Sequence, residues 1–306
     1  MSTHDIRLLR TTDHDRSGAR SLQRRHRSGQ LVRVVDGVFV DATTWRDLGA
    51  VERHLVVARA VAPKIRATAA FSHLTAALAF GWPLIGGFPE RVHVTDSATM
   101  RTEHRAHVVR HAGDPDTGRP RWTFAGVPLT SILRTATDLA VTLEPARAAV
   151  AVDHAVRNGT LTIEEFVAAL PEGPRRGSVR SRTVAAALDP LHESPGESYA
   201  SIRMVELGLP RPVAQHEFHH DDGTVDRVDF WFEDLGMIVE FDGKQKYTDT
   251  EVLRGRTAGE AVWLEKIRED RLRSLPVVRT VVRPTWWHLS DPDRLRALFR
   301  QHRVVF

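Results

Sequence analysis

The stretch between residues 228 and 244 constrains the fold of this chain more than any other. It contains two short runs that begin with apolar and aromatic residues, Val228–Phe232 and Met237–Lys244, separated by a turn around Glu233, Asp234 and Gly236. Runs of this length and composition, bounded by turn residues, predict two neighbouring strands. Acidic residues interrupt the first run and charged residues end the second, so the stretch predicts a sheet that carries unusual charge.

The charges at the end of the second run follow the period of a strand. Glu240, Asp242 and Lys244 alternate with other residues, so an extended chain would project all three from one face. Asp229 supplies a further acid from the neighbouring strand. Charges beside apolar strands are costly to desolvate unless they are paired or bind a cation. We therefore interpret the group as a divalent-metal site for phosphodiester hydrolysis.

The elements around these strands predict an α/β unit from residue 194 to residue 306. Its first helix begins after the N-cap residue Ser194 and carries Glu197 at its third position. A strand over 214–218 precedes the two central strands, and a helix over 259–274 follows them. A strand over 277–283 and a helix over 291–302 complete the unit. The predicted order is helix, three strands, helix, strand, helix.

Mg²⁺ (or Mn²⁺) fits the candidate ligands, because hard divalent cations prefer carboxylate oxygens. Asp229 and Asp242 would bind the ion directly, and Glu197 would act through water or on a second ion. Lys244 would orient the attacking water or stabilise the charge that develops on the phosphorus. Glu240 has two interpretations: it joins Asp242 in the site, or it pairs with an arginine or lysine.

The same residues also have purely structural interpretations. Glu197 is suited to capping the start of its own helix. Asp229 and Asp242 are typical of turns and strand ends. Lys266, on the later helix, would contact a phosphate if that helix packs beside the sheet, and is otherwise a solvated residue.

The spacing of Asp229 and of Asp242-Gly243-Lys244, with Glu197 on the preceding helix, resembles that of PD-(D/E)XK nucleases. The region 194–299 resembles, more narrowly, very-short-patch-repair-like endonuclease domains. The resemblance implies an αβββαβ core and metal-dependent nuclease activity, with Lys246 among the residues that contact nucleic acid. Repair endonucleases place histidines where Lys246 and Tyr247 stand here, so a histidine-assisted mechanism is not expected. The matching segments are Ser194–Ser198, Val228–Phe230, Val239–Lys244, Lys246–Tyr247 and Glu265–Asp270.

Residues 1–45 predict a small DNA-binding module. A helix over 17–27, with Ser17 as its N-cap, is followed by two β-rich runs that flank Asp36-Gly37, which is a strong hairpin signal. A basic helix followed by a hairpin is the plan of a winged helix. The alternative is a structural cap whose arginines are solvated. The candidate nucleic-acid contacts of the module are Arg20, Arg24, Arg25, Arg27 and Arg33.

Three segments of this module resemble the N-terminal winged-helix domain of AbiEi-type antitoxins from type IV toxin–antitoxin systems. These segments are Ser21–Arg25, Gly29–Arg33 and Gly37–Phe39. The resemblance implies sequence recognition or a regulatory role rather than catalysis.

Residues 46–170 predict a mixed α/β middle region that positions the two ends of the chain. Residues 171–193 predict an arginine-rich linker, or alternatively a short helix capped by Ser178. His104, His107 and His111 would fall on different faces of one strand, so we expect no metal site from them.

The composition allows DNA as a partner and excludes several classes of site. The formal charge is +4, and the absence of cysteine excludes disulfides, thiolate nucleophiles and cysteine-ligated zinc. A polar N-terminus and the lack of a long apolar run predict a cytoplasmic protein without membrane contact. The sequence is also compatible with binding to a partner toxin or to a second copy of the chain.

Three functions are compatible with these features, the third being a toxin–antitoxin component whose middle region neutralises a partner. The first is a metal-dependent DNA endonuclease or nickase, delivered by the N-terminal module. The second is a non-catalytic DNA-binding regulator or antitoxin that uses an idle nuclease fold as a scaffold.

Overall fold

The computed structural model describes residues 5–118, 122–243 and 258–304, and has a mixed α/β fold. Contacts divide the chain into two compact units, residues 1–142 and 143–306. The sequence placed domain boundaries after residues 45, 170 and 193, and the contact boundary lies inside the predicted middle region. No helix among the described residues has both the length and the apolar character needed to cross a bilayer.

The first unit begins with a helix and a small sheet. Asp15, rather than the expected Ser17, caps the first helix, because its Oδ1 accepts a hydrogen bond from Gly18 N at 2.7 Å. The predicted hairpin at Asp36-Gly37 is confirmed, with Gly37 at φ +77°. The strands pair in the order β1-β3-β2. The elements are β1 (Leu9–Arg10), α1 (Arg16–Arg27), β2 (Leu31–Val35) and β3 (Val38–Asp41).

A four-stranded sheet with helices forms the rest of the first unit. Its strand order is β4-β5-β7-β6, in which β5 and β7 are parallel and the outer pairs are antiparallel. Fully buried Val56, Phe71, Val92 and Val94 lie in its core. The elements are α2 (Ala42–Asp47), α3 (Ala50–Val61), β4 (Ala69–Phe71), α4 (His73–Ala79), β5 (Val92–Asp96), β6 (Glu103–His104), β7 (Val108–Ala112), β8 (Thr123–Phe124), β9 (Val127–Pro128) and α5 (Ile132–Thr142).

Helices lead into a second mixed sheet in the second unit. The sheet has the order β10-β11-β12-β13, with the first three strands antiparallel and β13 parallel to β12. The elements are α6 (Pro145–Arg157), α7 (Ile163–Ala168), α8 (Ser178–Ala187), α9 (Pro195–Glu206), β10 (Val213–His219), β11 (Val225–Phe232), β12 (Met237–Val239), α10 (Ala258–Ser274), β13 (Thr280–Val282), α11 (Trp286–Leu289) and α12 (Pro292–Gln301).

From α9 to α12 the predicted order of elements agrees with the structure, except that the short helix α11 was not predicted. Two further local expectations are wrong. Strand β12 ends at Val239, so Glu240 and Asp242 lie beyond its end rather than on it. The arginine-rich segment contains the short helix α8, yet its N-cap is Gly177, at φ +85°, and not Ser178. A left-handed backbone at that position favours glycine, which has no Cβ to clash.

Candidate active site

The sheet of the second unit is irregular at Asp229. The paired positions Ala214↔Phe230 and His216↔Val228 flank this residue, and the intervening Gln215 of β10 has φ +51°. Such a left-handed residue interrupts the regular ladder and changes the direction of nearby side chains. Asp229 is half-buried, and its Oδ2 accepts a hydrogen bond from Phe241 N at 2.8 Å. The Asp229 carboxylate therefore lies against the backbone of the segment that carries Asp242.

That segment stays extended after β12 ends. Glu240 N donates to Val282 O at 3.0 Å, and Asp242 N donates to Pro284 O at 2.9 Å. Asp242 also forms an isolated parallel bridge with Thr285 and is half-buried. Alternate amides that bond to one neighbour place Glu240 and Asp242 on the same side of the chain. The hydrogen bond from Phe241 brings the Asp229 carboxylate to within one residue of Asp242.

Glu197 is buried at the start of α9 and accepts three hydrogen bonds. Its Oε1 accepts from Ser194 Oγ at 2.7 Å, and its Oε2 accepts from Glu193 N and Gln215 Nε2, both at 2.8 Å. Ser194 Oγ in turn accepts from Glu197 N, which caps the helix start, while the Glu197 carboxylate accepts from Glu193 N, one residue before the N-cap. The capping role is therefore present, and Gln215 connects this carboxylate to the irregular part of the sheet.

Glu240 lies between two arginines, which is the second of the two roles that the sequence left open. Arg268 Nη2 donates to its Oε1, and Arg283 Nη2 donates to its Oε2 at 2.9 Å. Arg283 also binds Glu265 at 2.5 Å. Burial alone would lower the pKa of Arg268, but hydrogen bonding to Glu240 raises it above the ordinary value. Glu240 thus belongs to an ion-pair network.

Only one of the three candidate lysines lies within the described residues. Lys266 is exposed on α10, and Lys244 and Lys246 lie outside the described residues. In the first unit, all five candidate arginines of α1 and β2 are exposed. Leu22, Leu31 and Phe39 form the small core that holds α1 against the hairpin.

Three acids close enough to share a directly bound ion do not occur within the described ranges. The one set of three histidine or acidic residues there whose ligand atoms lie within 4.8 Å of one another is His73, His93 and His111. The sequence analysis considered His111 together with His104 and His107. In the structure, His111 instead lies beside His73 of α4 and His93 of β5. No spacing signal could have shown this set, because its members lie on a helix and two strands.

Gln215 is a further residue that the sequence did not indicate. Its side chain binds Glu197, and its main chain forms the irregularity opposite Asp229. A glutamine inside a predicted strand carries no signal for a left-handed backbone.

No family model matches this chain. The curated relatives include the uncharacterized proteins MT2308 and Rv2248, from two strains of Mycobacterium tuberculosis, each 31% identical over 170 residues. The match covers 55% of this chain and spans 59% of the length of each relative. Among solved structures, the chain is similar to the RV2827C protein from Mycobacterium tuberculosis. That similarity has a TM-score of 0.35 and 14% identity, and covers 73% of this chain and 88% of the other.

Proposed function

We propose that this protein is a metal-dependent DNA endonuclease or nickase of the cytoplasm, with a PD-(D/E)XK-like core in its second unit. The observation that carries the proposal is the placement of Asp229. Its carboxylate is held by Phe241 N at 2.8 Å, one residue from Asp242, at an interruption of the sheet. Two half-buried carboxylates from adjoining segments provide the hard oxygen ligands that Mg²⁺ or Mn²⁺ prefers.

In this proposal the two aspartates bind the ion and other residues position the substrate. An ion held by Asp229 and Asp242 would neutralise charge on the phosphodiester and would lower the pKa of a water bound to it. Glu197, whose oxygens already accept hydrogen bonds, acts through water rather than directly. Lys244 stabilises charge at the scissile phosphate, and Lys246 and Lys266 contact neighbouring phosphates. Glu240 contributes to the stability of the fold and does not bind the ion.

The first unit supplies the DNA-binding module of the proposal. Helix α1 presents arginines at spacings of three and four residues, and Arg33 projects from the hairpin beside it. Guanidinium groups bind phosphate oxygens through two parallel hydrogen bonds. We assign α1 to the major groove and the β2–β3 hairpin to the adjacent backbone, as in winged helices.

A second function is favoured by the ion-pair network around Glu240. Here the protein is a non-catalytic DNA-binding regulator of a type IV toxin–antitoxin system, with a toxin or a second copy of the chain as its partner. Arginines that satisfy Glu240 and donors that satisfy Glu197 are what a scaffold without bound metal would need. The two functions differ in whether Asp229 and Asp242 are required for DNA cleavage.

Nicking of supercoiled plasmid in Mg²⁺ distinguishes them. We expect wild-type protein to nick the plasmid, and Asp229→Asn and Lys244→Ala to reduce the rate by roughly 100-fold or more, because each removes charge stabilisation from the reacting phosphate. Asparagine keeps an oxygen that can accept from Phe241 N, so the fold is retained. The matched control is Asp234→Ala, which removes an exposed acid from the turn between β11 and β12. Nicking that persists in both variants would defeat the proposed function.

The DNA-binding role of α1 has a separate test in the salt dependence of affinity. We expect Arg20→Gln/Arg24→Gln/Arg27→Gln to weaken binding to a short duplex, measured by fluorescence anisotropy. The slope of log affinity against log salt is negative, and its magnitude should decrease by roughly 2–3, because each lost phosphate contact lowers that magnitude by about 0.9. A control with the same charge loss replaces exposed arginines elsewhere, at Arg101, Arg180 and Arg300. Equal slopes for the two triple variants would show that the arginines of α1 do not contact DNA phosphates.

A further inference from the structure

Three histidines from different elements converge in the first unit. His73 is the first residue of α4, His93 lies on β5, and His111 lies on β7. The parallel register pairs His93 with Val109, which places His93 and His111 on the same face of the sheet. One nitrogen from each ring lies within 4.8 Å of the other two.

The spacing of His93 and His111 is close to that of two ligands on one metal, whereas His73 stacks on His111. His93 Nδ1 lies 3.0 Å from His111 Nε2, and the His73 ring stacks on His111 with centroids 3.8 Å apart and planes at 14°. Two nitrogens bound to one tetrahedral Zn²⁺ are about 3.3–3.4 Å apart, given Zn–N distances of about 2.0–2.1 Å. The His93–His111 pair needs only a small opening, whereas the stacked pair must tilt for both lone pairs to meet one ion.

The protonation states of the histidines favour metal binding. Burial, followed by repulsion from His111, lowers the pKa of His93 to about 3. Burial, followed by electrostatic repulsion from His104 and Arg134, lowers the pKa of His111 to about 4. Burial likewise lowers the pKa of His73 well below its ordinary value. All three rings are therefore neutral at pH 7, which is the form that ligates a metal.

Asp138 of α5 lies behind His73. Its Oδ1 accepts from Arg134 Nε at 2.8 Å, whereas its Oδ2 is buried, makes no hydrogen bond among the described residues and lies 3.6 Å from His73 Nδ1. His73 Nδ1 is also 3.0 Å from Ser72 Oγ. Metal-bound histidines commonly donate their second nitrogen to such an oxygen. His73 has φ +50°, a costly conformation for a residue other than glycine, and such strain often occurs at functional sites.

We propose that His73, His93 and His111 together bind one borderline divalent cation, for which Zn²⁺ is the probe, with the fourth position open to water. Three imidazoles are a Zn²⁺ ligand set rather than a Mg²⁺ ligand set. Asp138 orients His73 and does not ligate. This site uses no residue of the proposed nuclease centre, so either can fail without the other.

The test is Zn²⁺ titration of untagged full-length protein by calorimetry, with Co²⁺ absorption as a report on tetrahedral geometry. We expect one ion per chain for the wild type. His93→Gln and His111→Gln should each weaken binding by more than about 100-fold, since even residues that only orient a ligand typically account for about 10–100-fold. Asp138→Asn should weaken it within that smaller range of about 10–100-fold.

The matched control is His219→Gln, which removes an exposed histidine from β10 and should leave Zn²⁺ affinity unchanged. Thermal melts of the zinc-free proteins establish that each variant is folded. Asp229→Asn protein should bind Zn²⁺ as the wild type does, which separates this site from the nuclease proposal. Absence of stoichiometric binding in the wild type would overturn the inference, as would affinity that His93→Gln and His111→Gln leave intact.

Discussion

Replacing Glu240 by alanine is expected to lower the free energy of unfolding of the second unit by about 2–4 kcal/mol. Glu240 is 8% exposed and accepts hydrogen bonds from both Arg268 and Arg283. Its removal leaves the half-buried guanidinium groups of Arg268 and Arg283 with Glu265 as the anion they still share. The cost comes from weaker charge compensation and from two guanidinium donors that lose their acceptor.

Urea denaturation followed by tryptophan fluorescence measures this effect. The matched control is Glu217→Ala on β10, where an exposed acid is removed and the change should stay within about 0.5 kcal/mol. The change in the free energy of unfolding for Glu240→Gln should lie between those for Glu240→Ala and Glu217→Ala, because the amide oxygen still accepts a hydrogen bond. A Glu240→Ala protein as stable as the wild type would show that the network does not stabilise the fold.

Replacing Gly196 by alanine is expected to destabilise the second unit by about 2–3 kcal/mol, although alanine is the better helix former by up to about 1 kcal/mol. A Cβ on Gly196 would lie 2.1 Å from Phe241 Cε1 and 2.4 Å from Phe241 Cδ1. The Phe241 ring cannot move freely, since the residue is 7% exposed and its ring packs edge-on against that of Trp286, with the ring centroids 4.9 Å apart. The clash must therefore shift α9 or the segment after β12.

The matched control for this prediction is Gly259→Ala on α10. Among the described residues outside the helix's own backbone, nothing lies within 4 Å of a Cβ at that position, so the helix should be unchanged or stabilised by up to about 1 kcal/mol. The double variant Gly196→Ala/Phe241→Leu should recover part of the lost stability, because leucine is smaller than phenylalanine and leaves room for the Cβ of Ala at position 196. Equal urea midpoints for Gly196→Ala and the wild type would contradict the close packing.

The Gly196 prediction also links stability to the candidate site. Phe241 N is the donor that holds the Asp229 carboxylate. A displaced Phe241 would therefore move Asp229 as well as the α9 helix. Packing on one face of the sheet thus supports the position of an acid that the proposed function requires.

Local signals in the sequence were enough to predict much of the fold. The order of elements from α9 to α12 follows from hydrophobic periodicity and from the cap at Ser194, and the N-terminal hairpin follows from Asp36-Gly37. These signals act between residues that are close in sequence. The end of β12 at Val239 was missed, because an extended chain that continues beside β13 has the same alternation as a strand.

The site was harder to predict because its contacts are distant in sequence. The arginines that bind Glu240 lie 28 and 43 positions away, and the histidines of the first unit come from three separate elements. Arginine-rich composition offers many partners for each acid, and sequence alone does not choose among them. The contact between Asp229 and the segment of Asp242, by contrast, follows from the pairing of adjacent strands.

The central claim is that Asp229 and Asp242 hold a cation for phosphodiester cleavage while Glu240 is structural. The most direct measurement is the rate of Mg²⁺-dependent plasmid nicking by Asp242→Asn and by Glu240→Gln, each normalised to its folded fraction. We predict that Asp242→Asn loses roughly 100-fold or more of the rate, whereas folded Glu240→Gln stays near wild type. Near-wild-type nicking by Asp242→Asn, or an equal loss in the two variants, would contradict the account.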